Sequence, residues 1–435
     1  MYDRLKGFQD VYPEEMAARR AVIDAVEGVC RGDGFREIDT PRVERAQMWT
    51  DKSGEEIVEE LYAFEDKGDR HVTLTPELTP TVARMVAARQ QELAKPIKWF
   101  STRPFWRYEQ VQQGRFRQFY QTNADIFGAA SPAADAEILA VAADALTDLG
   151  LTAEEFEFRV SHREVLEGLI DSYDEGGEID SRAAMRAVDK SETVPERKYH
   201  DLLVEAGLTL DQAREFDALI ERGDLDAVAE TAGTDRVREA TENLQAVLDA
   251  AEDFGVRRYC RLSLDTARGF DYYTGSVFEC FDSTGEVSRA VFGGGRYDDL
   301  IESFGGQPTP AVGVAPGYAP LGLLLERAGV APEAAIETDY YVLRVGDTRS
   351  VAARIARELR ERGHVVETDI ADRSFGAQMG YADGIGAETV VIVGEQDLAN
   401  DEVTVKRMGD GEQTTAPVGE FPGDRERPTY EDFAD

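Results

Sequence analysis

The 435-residue sequence holds three cysteines, four histidines and, among 48 cationic residues, eight lysines. Cys30, Cys260 and Cys280 are far apart and odd in number, which argues against a disulfide framework and for a reducing cytosol. His71, His162, His200 and His364 are equally scattered, so neither HExxH nor a Cys/His zinc spacing exists and no protein-held metal is expected. The longest apolar stretch, Ala311 to Leu325, is interrupted by proline and glycine and is too short to span a bilayer. The opening "MYDRLKGFQD" has no apolar signal-peptide core, so a cytoplasmic protein without a membrane partner is expected. There is no GxxxxGK[ST], which excludes a P-loop. Internal repeats and low-complexity segments are also missing.

What the chain has in excess is acid. Its formal net charge is -38, spread along the chain, and 40 of its cations are arginine. An acidic, lysine-poor surface suits a very salty cytoplasm, where carboxylates keep it hydrated and a Debye length of about 3 Å screens their repulsion. A calcium buffer or a partner for basic proteins is the rival reading, and no EF-hand loop supports it.

The length predicts two or three domains. Residues 13–31 read as an amphipathic helix, with Pro13 in the first turn, Glu14 and Glu15 at the positive dipole end, and Val22, Ile23, Val26, Val29 and Cys30 on one stripe. "FREIDTP" reads as a strand stopped at Pro41, and "YAFEDKGDRHVTL" as a hairpin turning at Asp66-Lys67-Gly68-Asp69. "ELTPTVARMVAARQQEL" starts a helix with Thr79 as N-cap and Pro80 at the first helical position. Residues 98–128 read as strand, loop, strand. Residues 163–250 are a charged, helix-leaning insertion, and β-character returns at about 258 and continues past "FGGGRYDDL". The "GGGR" at 293–296 reads more as a turn than as a phosphate cradle. After the helical "PLGLLLER" and a linker at 327–338, strands alternate with helical patterns in a small α/β domain over 339–435, where Val351, Ile355 and Leu359 recur every four residues.

Two polar strand faces carry the chemistry. With a period of two, Arg103, Phe105, Arg107 and Glu109 share one face, and Arg117, Phe119, Gln121, Asn123 and Asp125 share another. Such faces are either solvated or the floor of a ligand site, and the interleaved arginines, aromatic rings and carboxylate suit the floor. Arg107 and Arg115 offer guanidinium forks for phosphate, Phe119 a stacking face for a base, and Gln121 and Asp125 acceptors for an ammonium or an imidazole N–H. "TARGFDYYTGSVFECFD", residues 266–282, reads as a β-run that sets Arg268, Asp271, Tyr272 and Tyr273 in its middle. A nucleotide beside a small amino-bearing molecule fits these surfaces.

These residues resemble the class II histidyl-tRNA synthetases over essentially the whole chain. "GFREIDTP" is similar to motif 1, "FWRYEQVQQGRFRQFYQTNADIFG" to motif 2, "TPELTPTVAR" to the segment that binds the histidine amino group, and "ARGFDYYTGSVFE" to the histidine-specific signature. The resemblance implies an α+β fold: an antiparallel-sheet catalytic domain over 1–162 and 251–326, the helical insertion at 163–250, and a C-terminal α/β anticodon-binding domain. It implies ligation of histidine to its tRNA through histidyl-adenylate, with ATP and Mg²⁺, by a homodimer with no DNA or membrane partner.

By position, Glu77, Leu78, Thr79 and Gln121 would hold the histidine amino end, and Asp125, Tyr272 and Tyr273 would read the imidazole. Arg107 would clamp the α-phosphate, Glu109 and Arg115 would help place ATP, and Phe119 would stack on adenine. Arg268 would lie between the substrate carboxylate and the α-phosphate, and Tyr297 would close the pocket. One departure stands out. Where motif 3 places an arginine for the γ-phosphate, this chain has Pro320, and Arg327 lies about two turns further on. The alternative is a non-catalytic synthetase-like regulatory subunit of ATP phosphoribosyltransferase. Its marks would be a lost anticodon domain and eroded catalytic arginines, whereas this chain keeps the C-terminal domain, Arg107, Arg115 and Arg268.

Overall fold

The structure, a computed structural model, describes residues 2–50, 55–174, 176–191, 194–266, 272–287, 289–332 and 338–418. The chain divides into two units, 1–11 with 18–332, and 12–17 with 333–435. Among the described residues no helix is long and apolar enough to cross a membrane.

In the first unit an eight-stranded sheet runs in the order Arg36–Glu37, Ile97–Trp106, Gln118–Phe127, Ala311–Val314, Phe292–Arg296, Ser276–Asp282, Phe156–His162, Cys260–Leu262. The pairings are antiparallel except at the two ends, where Arg36–Glu37 runs parallel to Ile97–Trp106 and Cys260–Leu262 parallel to Phe156–His162. Its long members, Ile97–Trp106 and Gln118–Phe127, are the expected strand–loop–strand and pair over all ten residues. A three-stranded sheet carries the predicted hairpin, Tyr62–Glu65 against His71–Leu74. Asp66 makes that turn by accepting the Gly68 and Arg70 N–H groups, while Asp69 takes φ 55°.

One apolar cluster holds this unit together. The helix Pro132–Asp148 buries Ala134, Ile138, Leu139, Val141, Ala142 and Leu146 and packs on the helix Asp235–Asp253 and on the strand Ala311–Val314. The helix Pro13–Gly32 adds Val22, Ile23 and Cys30 from its predicted stripe. Six helices between Arg163 and Asp253 fill the stretch expected to be helical, and their buried faces join the same cluster as the sheet. All three cysteines are buried and free. Burial pushes the Cys30 and Cys260 thiols up to about 12.

Three local expectations fail. Leu78, not Thr79, is the N-cap of the helix Thr79–Arg89; it has helical angles and makes no side-chain cap, so Thr79 and Pro80 both lie inside the first turn. The weak turn signal of "GGGR" gives way to the β-character expected across "FGGGRYDDL": the segment is part of the buried strand Phe292–Arg296. The β-run at 266–282 becomes a strand only at Ser276, so Tyr272 and Tyr273 stand on the segment leading into it, and Arg268 and Asp271 lie outside the described residues.

The second unit is a five-stranded sheet in the order Val366–Thr368, Thr338–Val345, Ala387–Gly394, Glu402–Arg407, Gln413–Pro417. The first three are parallel, and the last two add antiparallel. Tyr340 and Val342 pack with Ile355 and Leu359 of the helix Arg349–Glu361, whereas Tyr341 and Leu343 pack in a separate cluster with Ala382 of the helix Phe375–Gly384. Both sheet faces are therefore covered, which is why "YYVL" is apolar throughout instead of alternating. At the linker, Arg327 and Ala328 belong to the helix Tyr318–Ala328, and residues 333–337 lie outside the described residues.

Candidate active site

Glycine shapes the floor of the site. In the strand Phe292–Arg296, a Cβ on Gly294 would stand 3.0 Å from Val314 Cα, and one on Gly295 would stand 2.7 Å from the Ser276 carbonyl and 2.9 Å from the Tyr273 ring. On the neighbouring strand, a Cβ on Gly313 would stand 2.9 Å from Asp125 Cγ, whose residue is its register partner. Carbon atoms in contact need about 3.5–4.0 Å. These strands therefore carry glycine so that side chains can rest directly on backbone.

The cavity above this floor has a volume of about 270 Å³. Glu77, Thr79, Arg107, Glu109, Arg115, Phe119, Gln121, Asp125, Tyr272, Tyr273 and Tyr297, all named from sequence, line it. One described residue named from sequence does not. Leu78 is 1% exposed and its side chain packs in the apolar cluster with Val82, Phe105 and Phe127. Arg268 is among the residues that the structure does not describe. Arg103 and Phe105, assigned to the polar face, are fully buried and absent from the lining. The Arg103 guanidinium instead donates to the Thr40 carbonyl at 3.0 Å and to Thr75 Oγ1.

One group of lining residues is aromatic and acidic. Tyr272, Tyr273 and Tyr297 stand with ring centroids 5.0, 5.9 and 6.5 Å apart. Tyr272 Oη donates to Glu77 Oε2 at 3.0 Å, and Tyr297 Oη donates to Asp125 Oδ1. Burial pushes the Asp125 carboxyl up to about 7, against the pull of the tyrosine hydrogen bond. Burial, and then the adjacent Asp125 charge, hold the Tyr297 phenol well above its ordinary range. Gln121, in the lining, donates from Nε2 to Asn123 Oδ1 at 2.7 Å, and its amide oxygen is an acceptor.

Tyr297 is held in place from below. The preceding Arg296 forms a bidentate pair with buried Asp135, donating from Nε at 3.0 Å and also from Nη2. Ser276 Oγ donates to the same carboxylate, and Arg296 Nη1 reaches Asp298 at 3.1 Å. Such a fully desolvated and hydrogen-bonded pair fixes geometry more than it adds stability.

The other group is cationic. Arg107 Nε donates to the Pro76 carbonyl at 3.0 Å, and its guanidinium lies 5.4 Å from the Phe119 ring centroid. Glu109 stands between two arginines, 3.7 Å from Arg107 and 3.5 Å from Arg115. Sequence reasoning missed a third cation, Arg289, and also Glu279 and Ala319, all in the lining, where Pro320, noted at the motif 3 position, lies as well. The first turn of the helix Tyr318–Ala328, which contributes Ala319 and Pro320, turns its positive dipole end to the cavity. An amino acid fits among the tyrosines and carboxylates, and a phosphorylated nucleotide among the guanidinium groups.

Comparison with known proteins gives two matches that follow the two units of the chain. A family model described as histidyl-tRNA synthetase matches residues 7–320, and one described as anticodon binding domain matches residues 339–423. The chain is 68% identical to a histidine–tRNA ligase of Haloarcula marismortui over 437 aligned residues, covering 100% of both. A histidine–tRNA ligase of Natronomonas pharaonis is 67% identical, again with 100% of both covered. In fold the chain is similar to a histidyl-tRNA synthetase crystal structure from Nostoc sp. PCC 7120, with a TM-score of 0.79 at 24% identity, over 96% of this chain and 97% of that one.

Proposed function

Because the chain belongs to the histidyl-tRNA synthetase family, and so is an ATP-using ligase of histidine and its tRNA, we propose that its 270 Å³ cavity is where histidine is activated. The observation that carries this assignment is the sorting of the lining into a tyrosine–carboxylate group and a guanidinium group. Glu77, Thr79 and Gln121 take the α-amino group of histidine. Asp125, held by Tyr297, accepts an imidazole N–H, and Tyr272 and Tyr273 bound the ring. Phe119 stacks on adenine, Arg107 takes the α-phosphate, and Glu109 and Arg115 orient ATP. Arg268 contacts the substrate carboxylate and the α-phosphate. Leu78 has a packing role beneath the amino-group site.

On this reading the chemistry needs no protein nucleophile. A histidine carboxylate oxygen attacks the α-phosphorus in line, the bond to the bridging oxygen breaks, and pyrophosphate leaves with that electron pair. Catalysis comes from alignment and from positive charge around the equatorial oxygens, which Arg107 and Arg268 supply. Mg²⁺, which would supply further positive charge to the phosphates, would be held by the Glu109 and Glu279 carboxylates in the lining, the hard oxygen donors such an ion takes. A ribose hydroxyl of the terminal tRNA adenosine then attacks the histidyl carbonyl and releases AMP. Selectivity follows from buried partners: a side chain without an imidazole N–H gives the buried Asp125 carboxylate nothing beyond its Tyr297 hydrogen bond.

Residues 339–435 bind the anticodon, the helices of 163–250 embrace the acceptor stem, and the chain works as a cytoplasmic homodimer. The match to an anticodon-binding model and the full-length likeness to ligases weigh against the regulatory-subunit reading. The test is ATP–pyrophosphate exchange in concentrated KCl with each amino acid in turn. Exchange is expected with histidine alone, and Arg268→Ala should lower its rate far more than it weakens histidine binding. Histidine binding without any exchange would overturn the assignment.

A further inference from the structure

We propose that Arg289 is the cation that grips the outer phosphates of ATP in this chain, the duty for which the family pattern places an arginine where Pro320 stands. The inference rests on the adenylation reading above and adds a residue to it. Pro320 lines the cavity but has neither charge nor N–H to offer. Arg327, the next arginine along that helix, is turned elsewhere. Its Nη2 lies 3.1 Å from the fully buried Asp282 carboxylate and donates to the Glu155 carbonyl at 3.1 Å, and it is not part of the lining.

Among the described residues of the lining, the cations are Arg107, Arg115 and Arg289. Arg107 is tied to Pro76 and lies over Phe119, where the base and α-phosphate are assigned. Arg115 is half-exposed and shares Glu109. Arg289 comes from another part of the chain, just ahead of the strand Phe292–Arg296. It reaches the loop that joins the two long strands, where Nη2 donates to the Gln113 carbonyl. Gly114 makes that approach possible: it takes φ 68°, and a Cβ there would meet Arg289 Nη2 and stand 2.8 Å from Leu323 Cδ1.

The other arm of the fork has nothing to hold. Arg289 Nη1 is buried and has no hydrogen-bond partner among the described residues. Burial, and then the like charge of Arg115, lower the guanidinium's proton affinity, while Glu109 acts in the opposite direction. An orphaned guanidinium N–H is costly, and two guanidinium groups set near each other repel. Both penalties end when a polyanion enters, because a guanidinium fork matches phosphate oxygens and the charges then attract. The arrangement therefore favours a ligand with several negative charges over one with few. A nucleoside triphosphate gains from Arg289 what a monophosphate cannot.

The experiment measures ATP and AMP binding by calorimetry, together with ATP–pyrophosphate exchange in concentrated KCl, for the wild-type chain, Arg289→Ala and Arg289→Lys. Removing a charged hydrogen-bonding partner should raise the dissociation constant and KM for ATP at least tenfold in Arg289→Ala. Arg289→Lys, which keeps the charge without the fork, should fall between. AMP affinity and the KM for histidine should stay within about threefold, a split that loss of structure would not produce. Adding Pro320→Arg to Arg289→Ala should recover part of the ATP affinity. An unchanged KM for ATP, or a parallel loss of ATP and AMP binding, overturns the role given to Arg289. A wild-type chain that binds histidine but performs no exchange overturns the adenylation reading itself.

Discussion

Replacing Gly313 by Ala is the most direct probe of how the histidine end is built. The added methyl would sit 2.9 Å from Asp125 Cγ and closer still to Oδ1, where contact distance is about 3.5–4.0 Å. Roughly 0.6–1 Å of displacement must therefore be found. Asp125 is 3% exposed and tied to Tyr297, so it cannot swing into solvent. The backbone offers little relief either, because Gly313 pairs with both Gly295 and Asp125 across the sheet. Overpacking of this kind costs about 1–3 kcal/mol. Taken from histidine binding, that is roughly a 5- to 150-fold rise in the KM for histidine. The assay is pyrophosphate exchange with histidine and ATP varied separately, and the KM for ATP should change by less than about threefold. Fluorescence of Trp49, Trp99 and Trp106, all in the first unit, checks that the sheet remains folded. A variant that keeps its tryptophan signal and a wild-type KM for histidine would show that Asp125 does not sit where histidine is read.

Four further outcomes are expected. Asp135→Ala strands the Arg296 guanidinium, which is 7% exposed, with Asp298 and two carbonyls for company; it should lower stability by about 3 kcal/mol in urea melts followed by tryptophan fluorescence, and a loss under about 1 kcal/mol would contradict the buried-pair argument. Asp125 has a folded-state pKa raised to about 7, so the folded chain keeps a proton that the unfolded chain releases above about 4, and this group's contribution to stability declines as pH rises between those values. A bound imidazole N–H favours the carboxylate, so the KM for histidine should climb as pH falls below about 7, and an equally steep climb in Asp125→Asn would remove Asp125 from the explanation. Affinity for tRNA should vary only weakly between about 1 and 3 M KCl, because counterion release gains little there, and a steep loss across that range would argue against local arginine contacts on an acidic chain.

Much of the architecture was legible because burial follows period. The stripe from Val22 to Cys30 and the i+4 repeat of Ile355 and Leu359 became buried helix faces. Alternation along 118–127 put Phe119, Gln121 and Asp125 together on the cavity side. Alternation reports face but not depth, which is why Arg103, on the same side as Gln121, proved to be buried against Thr40 and Thr75 instead of lining the cavity. Residues 293–296 were misread for a different reason. Glycine has strong local turn propensity, and only the crowding of Tyr273, Val314 and Gly313 around the strand explains its use there. Arg289 gave no local signal, since it is a single charge ahead of a strand. Its unpaired Nη1 is a tertiary fact. The strand Gln413–Pro417 also went unnoticed, because a polar, largely exposed edge lacks an apolar pattern.

The burial of Cys30, Cys260 and Cys280 has a practical consequence. Alkylating reagents attack thiolate, and thiols pushed up to about 12 and shielded from solvent present almost none at neutral pH. The native chain should be nearly silent to maleimide dyes. One cysteine planted on the surface of each unit would then take label cleanly, and energy transfer between the dyes would test whether added tRNA changes the distance between them.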